Sequence, residues 1–98
     1  LQRAPVLPQV PPIAESGLPG FDVTIWFGVL APAATPKDIV AKLSADIQAV
    51  IGSPDMQKQL QAMGAEPQAT SPEAFAALIR TDTQKWARAV KSSGAQLD

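Results

Sequence analysis

The sequence contains no cysteine and no histidine, and these two absences exclude most of the side-chain chemistry that small enzymes use. Without cysteine there is no disulfide framework and no thiol nucleophile. Without histidine there is no imidazole for a common zinc site, for a general acid–base pair or for a serine–histidine nucleophile. We therefore expect no enzyme activity, no catalytic residue, no metal site and no cofactor.

Runs of like charge and long apolar runs are absent as well. The eight basic and nine acidic residues give a net charge of −1, and the basic residues never cluster in sequence. A nucleic-acid partner needs a basic stripe or patch, so no such partner is expected. No stretch approaches the roughly 18 consecutive apolar residues that indicate a membrane-spanning helix.

What is present is a small, apolar and proline-rich chain. Of its 98 residues, 46% are apolar, and its ten prolines are about twice the usual share. Five of them lie in residues 1–20, which we predict to form a loop. One helical turn is expected within it at 12–16, ended by Gly17 in the left-handed conformation.

Residues 21–31, FDVTIWFGVLA, have the alternation of a β-strand. The face that carries Asp22 starts polar and becomes apolar at Trp26 and Leu30, so the strand is expected to enter dry surroundings. Gly28 inside it indicates a bulge or a close backbone approach. The opposite face is apolar throughout: Phe21, Val23, Ile25, Phe27 and Val29.

Apolar periodicity predicts three helices, at about 36–51, 54–63 and 72–92. Each is preceded by a hydroxyl residue expected to cap it, with proline at the first helical position. Asp82 falls on the apolar stripe of the third helix, where a carboxylate is typical of a partly exposed or paired group rather than a catalyst. The three predicted caps are Thr35-Pro36, Ser53-Pro54 and Ser71-Pro72.

The order of elements predicts an α/β fold whose sheet is incomplete. A short strand at 65–69 contains Pro67, which is typical of a sheet edge, and it covers at best one side of the strand at 21–31. The other side would keep unpaired N–H and C=O groups, which native proteins avoid. We infer that polypeptide outside these residues, or a second copy of the chain, completes the sheet.

Two segments of the sequence resemble one known family. PPIAESGLPGFDVTIWFGVLAPAATP, residues 11–36, is similar to the pattern P-T-x-A-E-S-G-x-P-G-F-x-V-x-x-W-x-G-L-x-A-P-A-G-T-P, with Pro12 and Ala34 as its two departures. Residues 63–98 are similar to the closing segment, which reads like L-G-A-E-P-x-G-x-S-P-E-E-F. Both patterns belong to the C-terminal third of the tripartite tricarboxylate transporter receptors, the Bug-type extracytoplasmic solute receptors.

The resemblance implies a fragment of a periplasmic receptor with the type II periplasmic-binding-protein fold. Such receptors hold a small carboxylate or amino acid between two α/β domains and deliver it to membrane transporter subunits. Residues 1–20 would be a loop from the side of the second domain. Residues 21–32, named the crossover segment below, would return between the domains, and residues 33–98 would be the helical C-terminal part of the first domain.

The same resemblance suggests three ligand-contacting residues, Trp26, Phe27 and Gly28, because an aromatic beside a domain crossing can line a pocket and glycine permits close approach. The competing interpretation is that Trp26 and Phe27 are core residues on opposite faces. The turn at 15–17 is likewise open to a structural or a ligand-contacting interpretation. As a whole, the chain is expected to be a receptor fragment or, alternatively, a stand-alone oligomerisation module that pairs through 21–31.

Overall fold

The computed structural model describes residues 3–96, and its regular elements are helical. A short 3-10 helix spans Ile13–Glu15. It is followed by α1, Lys37–Ile51, by α2, Pro54–Ala62, and by α3, Pro72–Ser93. Extended backbone connects them, first through the crossover segment and later through residues 65–70. The three predicted helices are therefore present, with bounds within one residue of those expected.

Two of the three predicted caps are formed. Ser53 accepts a hydrogen bond from the N–H of Met56 at 3.4 Å, and Ser71 accepts one from the N–H of Ala74 at 3.2 Å. Each serine thereby satisfies a helix-terminal N–H that has no partner inside the helix. At its other end α3 stops at Gly94, whose φ of 67° is left-handed, as the position of this glycine predicts.

The predicted cap at Thr35 is wrong. The helix starts one residue later than expected, and Pro36 occupies the cap position with an extended ψ of 141° and no side-chain hydrogen bond. The N–H of Thr35 instead donates to the carbonyl oxygen of Pro32 at 3.0 Å, which closes a turn before the helix begins. Thr35 therefore lies one position before the cap of α1.

Both predicted strands, 21–31 and 65–69, are corrected by the structure. Within residues 3–96 no strand forms, and from 22 to 31 no backbone N–H or C=O is hydrogen-bonded to another backbone group. The physical reason is that a strand exists only when a neighbour supplies donors and acceptors at the ladder spacing. The α/β expectation is thus met in its helices and not in its sheet.

The helices do not close around a core. None of the described residues is buried, and the apolar stripes of α1 and α3 stay partly exposed. The Cα radius of gyration is 16.8 Å, whereas a compact domain of this length has about 13 Å. The chain is therefore an open arrangement whose apolar faces are available to further polypeptide.

No helix within residues 3–96 combines the length and the apolar character needed to cross a bilayer. The 22-residue α3 is long enough, but Arg80, Asp82, Lys85 and Arg88 are spread along its middle and charged side chains are costly in hydrocarbon.

Candidate functional site

The indole of Trp26 is held on α3 by two contacts. Its Nε1–H donates to Oδ2 of Asp82 at 2.7 Å. Its ring lies edge-to-face with the ring of Phe75, with centroids 5.2 Å apart and planes at 88°. This is the arrangement that the quadrupoles of two aromatic rings favour. Trp26 remains 38% exposed, so part of the ring faces outward.

Gly28 lies directly against the same phenylalanine. A Cβ atom added to Gly28 would stand 2.1 Å from Cζ of Phe75, far inside van der Waals contact. A bulge or a close backbone approach was expected here, and the group that approaches Gly28 is a side chain of α3. Any larger residue at this position would push the crossover segment away from the helix.

Phe27 is placed differently from its two neighbours. It is 94% exposed, and its ring stands at the rim of a cavity of about 690 Å³ between the crossover segment, α1 and α3. The lining of this cavity is predominantly aliphatic and aromatic, including Leu43, Ile47 and Ile79. Of the three predicted ligand contacts, Trp26 and Gly28 are thus engaged by α3, and Phe27 is not packed.

A second hydrogen bond joins the crossover segment to α3. The ammonium group of Lys85 donates to the backbone carbonyl oxygen of Asp22, and its Nζ also lies 5.5 Å from the ring centroid of Trp86. Asp82 and Lys85 are one turn apart on the helix, so they reach two points of the segment that are four residues apart. Together with Phe75, they hold this segment to α3 from Asp22 to Gly28.

Two of these residues were not predicted as site residues. The position of Asp82 on an apolar stripe was a usable signal, because a carboxylate there needs a polar partner, and the partner is Trp26. Lys85 gave no signal, since a lysine on the second half of a helix is ordinary. Only the tertiary arrangement pairs it with a carbonyl group 63 positions earlier in the chain.

A smaller cavity, of about 480 Å³, lies at the start of the crossover segment. Its polar lining comes from both extended segments, with Asp22 and Thr24 from one and Glu66 and Gln68 from the other. Thr24 Oγ1 donates to Oδ1 of Asp22 at 2.7 Å. The larger cavity is also bordered by both segments, so open space separates the two stretches that were expected to pair as strands.

The turn at 15–17 is held by hydrogen bonds within residues 3–16. The Arg3 guanidinium donates to Oε2 of Glu15 at 2.7 and 3.2 Å, and Ser16 Oγ donates to the carbonyl oxygen of Pro12 at 3.2 Å. Gly17 follows with a φ of +106°. In the described part of the chain, no group of three or more His, Cys, Asp or Glu side chains lies together as a metal site would require.

Comparison with known proteins gives consistent results. The family described as "Tripartite tricarboxylate transporter family receptor" matches residues 1–95. A protein from the tcbD-tcbE intergenic region of Pseudomonas sp. strain P51 is 42% identical over 91 residues, which are 92% of this chain and 27% of that protein. Protein BugT of Bordetella pertussis is 34% identical over 95 residues, covering 97% of this chain and 29% of BugT.

One solved structure is similar along nearly the whole chain. The periplasmic binding protein BugD superposes with a TM-score of 0.83 and 39% sequence identity, covering 98% of this chain and 33% of BugD. The chain therefore spans about a third or less of these three proteins. Its open arrangement of helices is similar to that of one part of BugD.

Proposed function

Because the chain belongs to the tripartite tricarboxylate transporter receptor family, we propose that it forms the C-terminal third of a periplasmic solute-binding receptor. The complete receptor would capture a small organic anion, a carboxylate or an amino acid, and deliver it to membrane transporter subunits. The observation that carries this proposal is the superposition on the periplasmic binding protein BugD over 98% of the chain.

The organisation of the chain supports this assignment. Residues 1–20 would come from the side of the second domain, the crossover segment would return between the domains, and residues 33–98 would complete the first domain. The contacts of Trp26 and Gly28 with α3 support the view that the crossover segment belongs to the first domain. The apolar cavity of about 690 Å³ would then be filled by the remaining part of that domain.

Trp26, Phe27 and Gly28 are proposed to lie at the ligand cleft. Trp26 would form part of its wall through the exposed part of its ring, and Phe27 has the freest side chain of the three. We propose no catalytic role for any residue and no metal or cofactor. The chemistry is capture, in which backbone N–H groups and helix N-termini contributed elsewhere in the receptor would bind the anion.

A chimeric receptor tests this proposal. The part of BugD that matches this chain is replaced by residues 1–98, and the purified protein is titrated calorimetrically with a panel of di- and tricarboxylates, aromatic acids and amino acids. We expect saturable binding of at least one anion, and about tenfold weaker binding in the Phe27→Ala variant if its ring lines the cleft. A Gln57→Ala variant on α2 serves as the matched control. A folded chimera that binds none of these anions would refute the proposal.

A second proposed role, self-association, is favoured by the unpaired backbone of the crossover segment. Ile25 is 83% exposed there, and its neighbours present free N–H and C=O groups to any strand that approaches. Two copies could pair along residues 21–31. This is compatible with a receptor fragment. An extended segment that has lost its neighbouring strand keeps free backbone groups, and these can pair with a second copy of the chain.

A further inference from the structure

Two hydrogen bonds join the crossover segment to α3 in addition to its aromatic packing, one from Trp26 to Asp82 and one from Lys85 to Asp22. They are called the polar latch below. The indole N–H of Trp26 is donated to a carboxylate, and the carbonyl oxygen of Asp22 accepts a hydrogen bond from an ammonium group. Hydrogen bonds with a charged partner are about twice as strong as neutral ones. Asp82 and Lys85 are only partly exposed, which limits the access of water that would compete for these hydrogen bonds.

The hydrogen bond to Asp82 uses the indole N–H of Trp26, the only polar group of that side chain. Phe75 contacts the ring edge-to-face and offers no acceptor side chain to the indole N–H. Asp82 gives the indole N–H a direction, because the indole has a single polar hydrogen and its Nε1 lies 2.7 Å from Oδ2. The orientation of the ring is therefore determined by the carboxylate, and the position of the segment by both hydrogen bonds.

We propose that Asp82 is a positioning residue for Trp26, and that its hydrogen bond fixes the crossover segment to α3 so that segment and helix move as one body. This rests on the proposed function, in which the segment passes between two domains and Trp26 faces the cleft. The consequence is that the segment behaves as part of the first domain, and Trp26 keeps one orientation whether or not the second domain has closed.

The absence of cysteine from these 98 residues helps a direct measurement of this coupling. Val23→Cys and Gln84→Cys place spin labels on the crossover segment and on α3 within the chimeric receptor, in which any cysteine of the BugD part is replaced by serine. Pulsed electron resonance gives the distribution of distances between the two labels. We expect a narrow distribution in the parent. In Asp82→Leu the population at other distances should rise roughly tenfold, the factor expected for loss of one hydrogen bond to a charged group. Asp46→Leu, which removes an exposed carboxylate from α1, is the control and should leave the distribution narrow.

A second measurement keeps the proposal testable if Asp82→Leu loses helical structure. In a chimeric receptor whose other tryptophans, Trp86 included, are replaced by phenylalanine, the indole N–H resonance of Trp26 is the only one in the nitrogen-correlated spectrum. In Asp82→Asn, which keeps an oxygen acceptor, we expect a smaller displacement of this resonance and a smaller gain in acrylamide quenching than in Asp82→Ala. Equal behaviour of both variants and the parent would overturn the proposal.

A broad distance distribution in the parent would also overturn it, because the segment would then not be held. These readouts do not depend on any ligand. A chimera that fails to bind anions would refute the proposed function and leave the latch standing, whereas an unchanged Trp26 resonance in Asp82→Ala would refute the latch alone.

Discussion

At the scale of single residues, the contact between Gly28 and Phe75 leaves less room for a Cβ atom than the surroundings of any other glycine in the described residues. The glycine has no left-handed φ, so its role is to leave space for the phenylalanine ring and not to permit an unusual backbone conformation. The ring in turn supports Trp26. One small residue thus decides whether the aromatic side chains of the crossover segment and α3 can meet.

Gly28→Ala should separate the crossover segment from α3, because its Cβ would stand 2.1 Å from Cζ of Phe75. We expect a cost of about 1–3 kcal/mol in the chimeric receptor, as for other overpacked positions. Chemical denaturation measures it. Phe75→Leu removes the clashing ring atoms, so the double variant should be no less stable than Phe75→Leu alone. Equal stability of Gly28→Ala and the parent would contradict this contact.

At the scale of elements, the helix starts distinguish a real cap from an apparent one. Ser71 accepts a hydrogen bond from the N–H of Ala74, whereas Thr35 makes no such bond although it also stands before a proline. The same two-residue pattern therefore has two outcomes. The difference lies in where the helix begins: Pro72 is the first residue of α3, whereas Pro36 is itself the cap residue of α1 and Thr35 lies outside it.

Ser71→Ala should lower the free energy of unfolding of the chimeric receptor by about 1 kcal/mol, the usual cost of losing a cap. Thr35→Ala is the matched control and should change it by no more than a few tenths of that amount. Thermal unfolding followed by circular dichroism at 222 nm makes the comparison. A larger loss for the threonine variant would show that the cap lies at Thr35 after all.

Among the described residues, no strand pairs with the backbone of the crossover segment. Charged side chains on an exposed strand edge oppose pairing, so Phe27→Lys should weaken self-association of the 98-residue chain through 21–31. We expect the parent to sediment as a dimer or larger species at micromolar concentration and the variant to shift toward monomer. Gln59→Lys on α2 adds the same charge elsewhere and should not shift it. A parent that sediments as a compact monomer would contradict this prediction.

At the scale of the whole molecule, residues 3–96 lack the buried interior that makes unfolding cooperative. No described residue is buried, and the dimensions exceed those of a compact domain. Two-state unfolding is a property of domains that bury a shared core. The helices of an isolated copy are therefore stabilised mainly by their own hydrogen bonds and caps, and each can lose structure separately.

Dilute samples of the 98-residue chain should accordingly melt gradually, without a sharp heat-capacity peak. Differential scanning calorimetry measures this, and the chimeric receptor, in which the same residues are covered, should show a cooperative transition. A sharp transition in the isolated chain at monomeric concentration would mean that residues 1–98 form a complete core by themselves.

The same incompleteness governs binding by the isolated chain. One wall of a two-domain cleft and most anion-binding N–H groups would be absent, so calorimetry with di- and tricarboxylates should find no saturable binding. Saturable binding at micromolar concentration would show that the ligand site is contained in this chain, contrary to the proposed domain organisation.

Local sequence determined the helices of this protein and most of their boundaries. Apolar periodicity, the Ser-Pro starts and the glycine at position 94 act over a few residues, so α1, α2 and α3 follow from neighbours in the sequence. The strand pattern at 21–31 was read with the same rules, but a strand is defined by hydrogen bonds to another segment. The sequence indicated that residues 21–31 need a neighbouring strand, but it did not show which segment would pair with them.

Tertiary structure alone decided where the crossover segment lies. Trp26, Phe27 and Gly28 could be named from sequence as candidates, but their division into residues held by α3 and a residue left free depends on Phe75, Asp82 and Lys85. These partners are about 50 to 60 positions away along the chain. Contacts over that separation carry no local periodic signal, because they arise only after the helices are positioned in space.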